Sequence, residues 1–157
     1  MKDAEKSPVA KLPGARLLMV IAPYYRDIAD QLQRGAEAVA AEAGATLDRV
    51  FVPGAFEIPG AIALAARTKA YDGFIALGCV VRGETSHYDY VCGESARGLM
   101  DLSIRKRLAI GYGILTVETI AQANERANPA RGDKGGEAAR AALAMIALKR
   151  RFAEASR

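Results

Sequence analysis

The single histidine of the chain, His87, stands in Arg82-Gly83-Glu84-Thr85-Ser86-His87-Tyr88, directly after the apolar run 73–81. That run suits a strand buried on both faces. Arg82-Gly83 breaks it, Thr85 and Ser86 are good helix N-caps, and an apolar-periodic segment follows. A strand, a tight glycine turn and a helix start aim free backbone N–H groups at an anion. The one side chain that titrates near neutral pH would therefore lie beside an anion site. The positive end of a helix disfavours an imidazolium, which leaves the ring able to accept a proton. A lone histidine is more often an ordinary helix-start residue, and Gly83-Glu84-Thr85 alone would be an ordinary capping turn. Their juxtaposition argues for a reactive centre.

Other candidates fall at strand ends. Tyr24, Phe56 and Tyr112 are aromatic, which by itself means core, but three at one edge would make the walls of a planar heterocycle site. Glu57, set between Phe56 and Ile58, is a carboxylate in apolar company, suited to accept hydrogen bonds from N–H and O–H groups of a ligand. Arg126, Arg131 and Lys134 lie in or beside a polar loop, where charged residues are usually only solvated. An anion at Gly83 to Thr85 would need a cationic partner, and Arg126 is the candidate. No DxD, HExxH, GxGxxG or P-loop pattern occurs, so metal, dinucleotide and nucleotide-triphosphate chemistry has no support. Cys79 and Cys92 form neither a CxxC nor a metal quartet and read as buried free thiols.

The elements that must position these residues alternate. Residues 16–22, 46–52, 73–81 and 109–116 read as strands. Helical periodicity follows from about 26 to Gly44, from 58 to about 69, from 86 to about 107, and from 118 to 126. Gly44 suits a left-handed helix end. Val91, Ser95, Leu99 and Leu102 form the expected buried face of the third helix. Residues 128–136 read as a polar loop. A last helix over 137–153 would bury Ala138, Ala141, Ala142, Met145, Leu148 and Phe152. Four strand–helix alternations with short connections argue for an α/β fold with a parallel sheet covered on both faces. Ligands in such sheets sit outside the carboxyl ends of the strands, where the segments 23–27, 54–57, 82–87 and 116–118 converge. Gly111 and Gly113 in the fourth strand suggest close backbone approach.

At 157 residues the chain fits one domain, residues 16–157, preceded by an arm over 1–15 carrying Pro8 and Pro13. The arm reads as flexible, or as an extended edge strand pairing with another subunit. No apolar run approaches the roughly 20 residues of a membrane span. The polar N-terminus lacks a signal-peptide core, so a cytoplasmic protein is expected. The net charge of +4 is carried by Lys149, Arg150, Arg151 and Arg157 at a helix C-terminus, where cations complement the dipole. Without a recognised nucleic-acid motif, nucleic-acid binding is not expected.

Together the motifs resemble lumazine synthase. The resemblance covers about residues 16–152. It is carried by Pro53-Gly54-Ala55-Phe56-Glu57-Ile58-Pro59, by residues 78–91 with Arg-Gly-Glu-Thr-Ser-His-Tyr, by Gly113-Ile114-Leu115-Thr116-Val117-Glu118, and by Lys134-Gly135-Gly136. It implies a three-layer flavodoxin-like sandwich and a cofactor-free condensation of 5-amino-6-ribitylaminopyrimidinedione with 3,4-dihydroxy-2-butanone 4-phosphate. The product would be 6,7-dimethyl-8-ribityllumazine, a riboflavin precursor. By the same resemblance Gly83, Glu84 and Thr85 cradle the phosphate, Arg126 completes that site, and His87 transfers protons. Tyr24 would stack on the pyrimidine, with Ala55, Phe56 and Glu57 near the ribityl chain. Val80 and Val81 would meet the pyrimidine edge through their backbone. Tyr112 and Lys134 would come from a neighbouring protomer of a homopentamer, and a sixty-subunit shell stays open. Pro23-Tyr24 and Glu137 depart from the usual family residues, Arg-Phe or tryptophan at the first and aspartate at the second. The same motifs would also serve a lumazine- or flavin-binding carrier or regulator, or, less well, a flavodoxin-type electron carrier. Intact Thr85, His87 and Arg126 favour the enzyme.

Overall fold

The computed structural model describes residues 5–156; residues 1–4 of the arm and Arg157 of the basic C-terminal cluster lie outside the described residues. Four strands, β1 (Arg16–Ile21), β2 (Thr46–Phe51), β3 (Gly73–Val81) and β4 (Ile110–Val117), form one parallel sheet in the order β2-β1-β3-β4. β1 is central, with Ile21 opposite Phe51 on one side and Leu77 on the other. That position explains why β1 is apolar throughout after Arg16. The two-residue strand period sends Leu17, Met19 and Ile21 to one core and Leu18, Val20 and Ala22 to the other. Helices α1 (Arg26–Ala43), α4 (Ile120–Ala127) and α5 (Lys134–Ala155) close the first core. Helices α2 (Ile58–Ala66) and α3 (His87–Arg105) close the second. The three-layer α/β sandwich read from the sequence is the fold.

The glycines of β4 act as expected. A Cβ on Gly111 would run into the backbone carbonyl of Ala138, and one on Gly113 would lie 2.7 Å from a Leu77 methyl and 3.1 Å from the Ala138 Cβ. Their bare Cα atoms let α5 sit directly on the strand. Gly44 closes α1 in the left-handed region at φ 75.

Several expectations are corrected. α2 ends at Ala66 and α3 at Arg105, each a little early, while α4 begins at Ile120 with the Thr119 hydroxyl accepting from the Gln122 N–H at 3.2 Å. Of the residues expected under α3, Ser95 and Leu99 are buried and Val91 and Leu102 only half-buried. The larger correction is α5. It begins at Lys134, inside the stretch read as a loop, because Asp133 takes a left-handed conformation (φ 49) and accepts from the Gly136 N–H at 3.3 Å. Gly135 and Gly136 are helical for a packing reason: a Cβ on Gly135 would strike the Leu32 carbonyl of α1. The buried face of α5 is Ala138, Ala139, Ala142, Leu143 and Ile146, whereas Ala141, Met145, Leu148 and Phe152 are exposed. The helix carries two apolar stripes: Ala138 and Ala142 of the expected face are buried, while periodicity alone drew the rest of that face onto the outer stripe.

In the arm, residues 5–12 form no strand. Val9, Ala10 and Leu12 pack on the α1–α5 core, with the Leu12 N–H donating to the Ala43 carbonyl at 2.9 Å. Among the described residues no helix is long and apolar enough to cross a membrane.

Candidate functional site

The carboxyl ends of β1 and β3 open onto a cavity of about 520 Å³. It is lined by three segments that the sheet brings together: Tyr24 and Tyr25 after β1, residues 53–57 after β2, and Cys79, Val80 and Val81 at the end of β3 with His87 and Val91 of α3. That volume suits a small organic ligand. Tyr24 is exposed, its ring edge-on to Tyr25 at 4.9 Å between centroids. Phe56 and Glu57 sit in a single 3-10 turn, Ala55–Glu57, and both are exposed at the cavity wall. Ala55 beneath them is buried. Its small side chain joins the core that carries Ile58 and Ile62, which ties the wall to the sheet.

Beside His87 the loop 83–86 leaves its donors free. Among the described residues, the N–H groups of Gly83, Glu84, Thr85 and Ser86 make no hydrogen bond. The expected capping by Thr85 and Ser86 is largely absent: Ser86 makes no side-chain cap, and the Thr85 hydroxyl accepts from the His87 N–H at a long 3.4 Å. Gly83 is not in the left-handed region, and nothing lies within 4 Å of where its Cβ would be. The chain's own packing therefore does not require a glycine there, while open space over unpaired donors does suit an incoming anion.

Cys79 faces the cavity from β3. Burial pushes its thiol up to about 11, with Cys92 adding to the effect, so it stands in the wall as a neutral group. Tyr112 lies on β4 outside the cavity, with its hydroxyl also raised, first by burial and then by Cys92 and Tyr88.

The structure thus gathers Tyr24, Ala55, Phe56, Glu57, Val80, Val81 and His87 around one space, while Gly83, Glu84 and Thr85 are not among its lining residues and lie in the exposed loop that joins Val81 to His87. It does not bring Tyr112, Arg126 or Lys134 to the same cavity. Arg126 ends α4, where its guanidinium donates to the Gln122 carbonyl at 3.1 Å and Gly132 packs against its backbone. Lys134 opens α5 and pairs with Glu137 at 2.8 Å. Sequence reasoning missed Pro53, Cys79 and Val91 as lining residues, while Tyr25 and Gly54 fall within the segments 23–27 and 54–57 expected at this edge. Two of them had a signal: Cys79 shares a strand face with Val81, and Val91 lies one helical turn beyond His87.

A family model described as 6,7-dimethyl-8-ribityllumazine synthase matches residues 14–150. A protein of that name from Methylobacterium radiotolerans is 57% identical over 148 residues, covering 94% of this chain and 90% of the relative. One named 6,7-dimethyl-8-ribityllumazine synthase 1, from Rhodopseudomonas palustris, is 53% identical over 163 residues, covering 99% of this chain and 100% of the relative. A third, from Bartonella tribocorum, is 52% identical and covers 98% of both chains. A match that runs through all four strands and into the last helix, with relatives at such identities, shows that the chain belongs to the 6,7-dimethyl-8-ribityllumazine synthase family.

Proposed function

We propose that this lumazine synthase joins 5-amino-6-ribitylaminopyrimidinedione to 3,4-dihydroxy-2-butanone 4-phosphate in the cavity between Tyr24, Phe56 and His87, with the loop 83–86 holding the phosphate. The observation that carries this reading is the run of unpaired N–H groups directly before the single histidine, which itself lines an aromatic-walled cavity. The ring of Tyr24 stacks on the pyrimidinedione, and the backbone of Val80 and Val81 meets its polar edge. Glu57 accepts hydrogen bonds from ribityl hydroxyls.

The chemistry follows from the substrates. The free amine attacks the ketone carbon, and loss of water gives an imine. Elimination then expels inorganic phosphate, whose charge the loop donors have stabilised. The enol left behind tautomerises to a ketone, the ribityl-bearing nitrogen attacks that carbonyl carbon, and loss of a second water completes the ring. His87, adjacent to the loop, moves protons to and from these nitrogen and oxygen atoms. Holding both reactants in register supplies much of the acceleration, since the bimolecular attack becomes effectively intramolecular.

Arg126, Tyr112 and Lys134 lie outside their own chain's cavity, which supports a site between adjacent subunits of a pentamer. In that assembly they serve the neighbouring cavity, with Arg126 reaching the phosphate. The test is lumazine formation followed by absorbance against a no-enzyme control. Turnover above the control, lost in Arg126→Ala, supports the reading. A folded oligomer that binds lumazine without turnover would instead identify a carrier.

A further inference from the structure

Arg82 has no part in the reaction as described, yet its side chain touches both sides of the loop that does. Its N–H extends the sheet by donating to the Val117 carbonyl at 2.9 Å. Its Nε donates to both carboxylate oxygens of Glu118, at 2.8 and 3.1 Å. One terminal nitrogen lies 3.5 Å from Asp89, and the guanidinium carbon is 4.3 Å from the centre of the Tyr88 ring. A single planar group therefore joins the turn after β4 to the first turn of α3, and the loop 83–86 is strung between them. Glu118 is itself held, since its N–H donates to the Gln122 side chain at 2.8 Å while the Gln122 N–H caps α4 on Thr119. Hydrogen bonding to Glu118 raises the pKa of Arg82, outweighing a smaller desolvation effect.

Two features separate this group from a phosphate ligand. Its charge is already shared by Glu118 and Asp89, and its face is taken by Tyr88. Meanwhile the loop has few ties of its own, because the N–H groups of residues 83–86 are unpaired and the Thr85 contact to His87 is long. Free donors bind an anion well only when their directions are set beforehand.

We propose that Arg82 is a positioning residue: clamped between Glu118 and the ring of Tyr88, it holds the loop 83–86 in the conformation that receives the substrate's phosphate. This rests on the reading of Gly83 to Thr85 as the phosphate cradle. An exposed ion pair is worth little alone, so the effect is modest and shows in binding of the phosphate partner.

The experiment measures KM for each substrate, competitive inhibition by inorganic phosphate, and Tm, for Arg82→Gln, Arg82→Lys, Glu118→Gln and the Arg82→Gln/Glu118→Gln pair. Both glutamine variants should raise the phosphate inhibition constant and the KM for the phosphate substrate by roughly three- to tenfold. The KM for the pyrimidinedione should stay within about twofold, Tm should not move, and the double variant should be no worse than the poorer single one. Arg82→Lys should recover only part of the effect, because an ammonium cannot offer the planar fork. Tighter phosphate binding in Glu118→Gln would overturn the proposal, since it would mean that a freed Arg82 binds the anion directly. Additive losses, or equal changes for both substrates, would overturn it too. Thr85→Pro, which deletes one of the loop N–H groups, separates the two readings. If it and wild-type protein respond identically to phosphate, the cradle itself is misplaced; if Thr85→Pro weakens phosphate and Arg82→Gln does not, only the clamp falls.

Discussion

His87 and Cys79 face the same cavity with different fates. His87 is exposed at the start of α3, lines the cavity and follows the unpaired loop, the position that the proposed proton transfer requires. Replacing it with alanine should lower kcat by about 10²-fold, the low end for a proton-transfer group, because orientation of the two substrates survives. A folded His87→Ala protein with no activity above the uncatalysed rate would show that the ring does more. Cys79 is a buried wall residue whose thiol is raised from 9.0 to about 11. It should resist alkylation by iodoacetamide at neutral pH and react faster as pH rises toward about 11, a profile that mass spectrometry of the modified peptide would show. The linked stability has a definite sign. Between pH 9.0 and about 11 the folded thiol keeps a proton that the unfolded one has lost. Stability from this group is therefore complete below pH 9.0 and declines as pH climbs through that window.

At the scale of elements, α5 explains most about the site's supports. It lies against β4 through Gly111 and against α1 through Gly135, two contacts with no room for a methyl group. Gly111→Ala should cost about 3 kcal/mol, near the upper end of overpacking losses, because backbone carbonyl rather than a movable side chain occupies the space. Chemical denaturation would measure it, and a change below about 0.5 kcal/mol would mean that α5 shifts freely. The N-terminus of α5 depends on Asp133, buried and left-handed, with Arg140 at 3.4 Å and Lys6 at 3.3 Å from its carboxylate. Asp133→Ala removes a cap and strands a mostly buried guanidinium, at a cost of about 3 kcal/mol. Since Lys134 is the next residue, activity at saturating phosphate substrate should fall with it. The alternation of strands and helices, the close approach on β4 and the left-handed Gly44 were all legible from periodicity and glycine placement. The start of α5 was not, because glycines that ordinarily break helices are there required by a neighbouring helix.

The whole molecule presents apolar surface that a single chain does not cover. Tyr90, Met100 and Ile104 project from α3, each at least 60% exposed, and Leu64 of α2 is 72% exposed. α3 is a 19-residue helix with only Ser95 and Leu99 buried. Among the described residues nothing pairs with the outer edge of β2, and Phe51 there is 56% exposed. Such surface is what the subunit contacts of the proposed assembly would cover. Light scattering should give a mass about five times the 16.7 kDa of the chain, the pentamer that the proposed shared site requires. Ile104→Lys should shift the population toward smaller species and lower activity in parallel, since each cavity lacks Arg126 of its own chain. A monomer with full activity would end the shared-site reading.

What the sequence determined by itself is local. The apolar runs dictated buried parallel strands, because only a strand covered on both faces tolerates such composition. The break at Arg82-Gly83 followed by hydroxyls and His87 marked a loop leading into a helix start, because chain order alone puts a turn and a helix start together. What only the tertiary structure decided is which distant segments share a space. The strand order β2-β1-β3-β4 brings residues 24, 25, 53–57, 79–81, 87 and 91 to one cavity and leaves Arg126 and Lys134 elsewhere. Likewise the choice between the two apolar stripes of α5 belongs to the sheet that receives it. A hydrophobic period gives a face its spacing, but burial depends on what lies opposite, and that is fixed by packing between elements far apart in the chain.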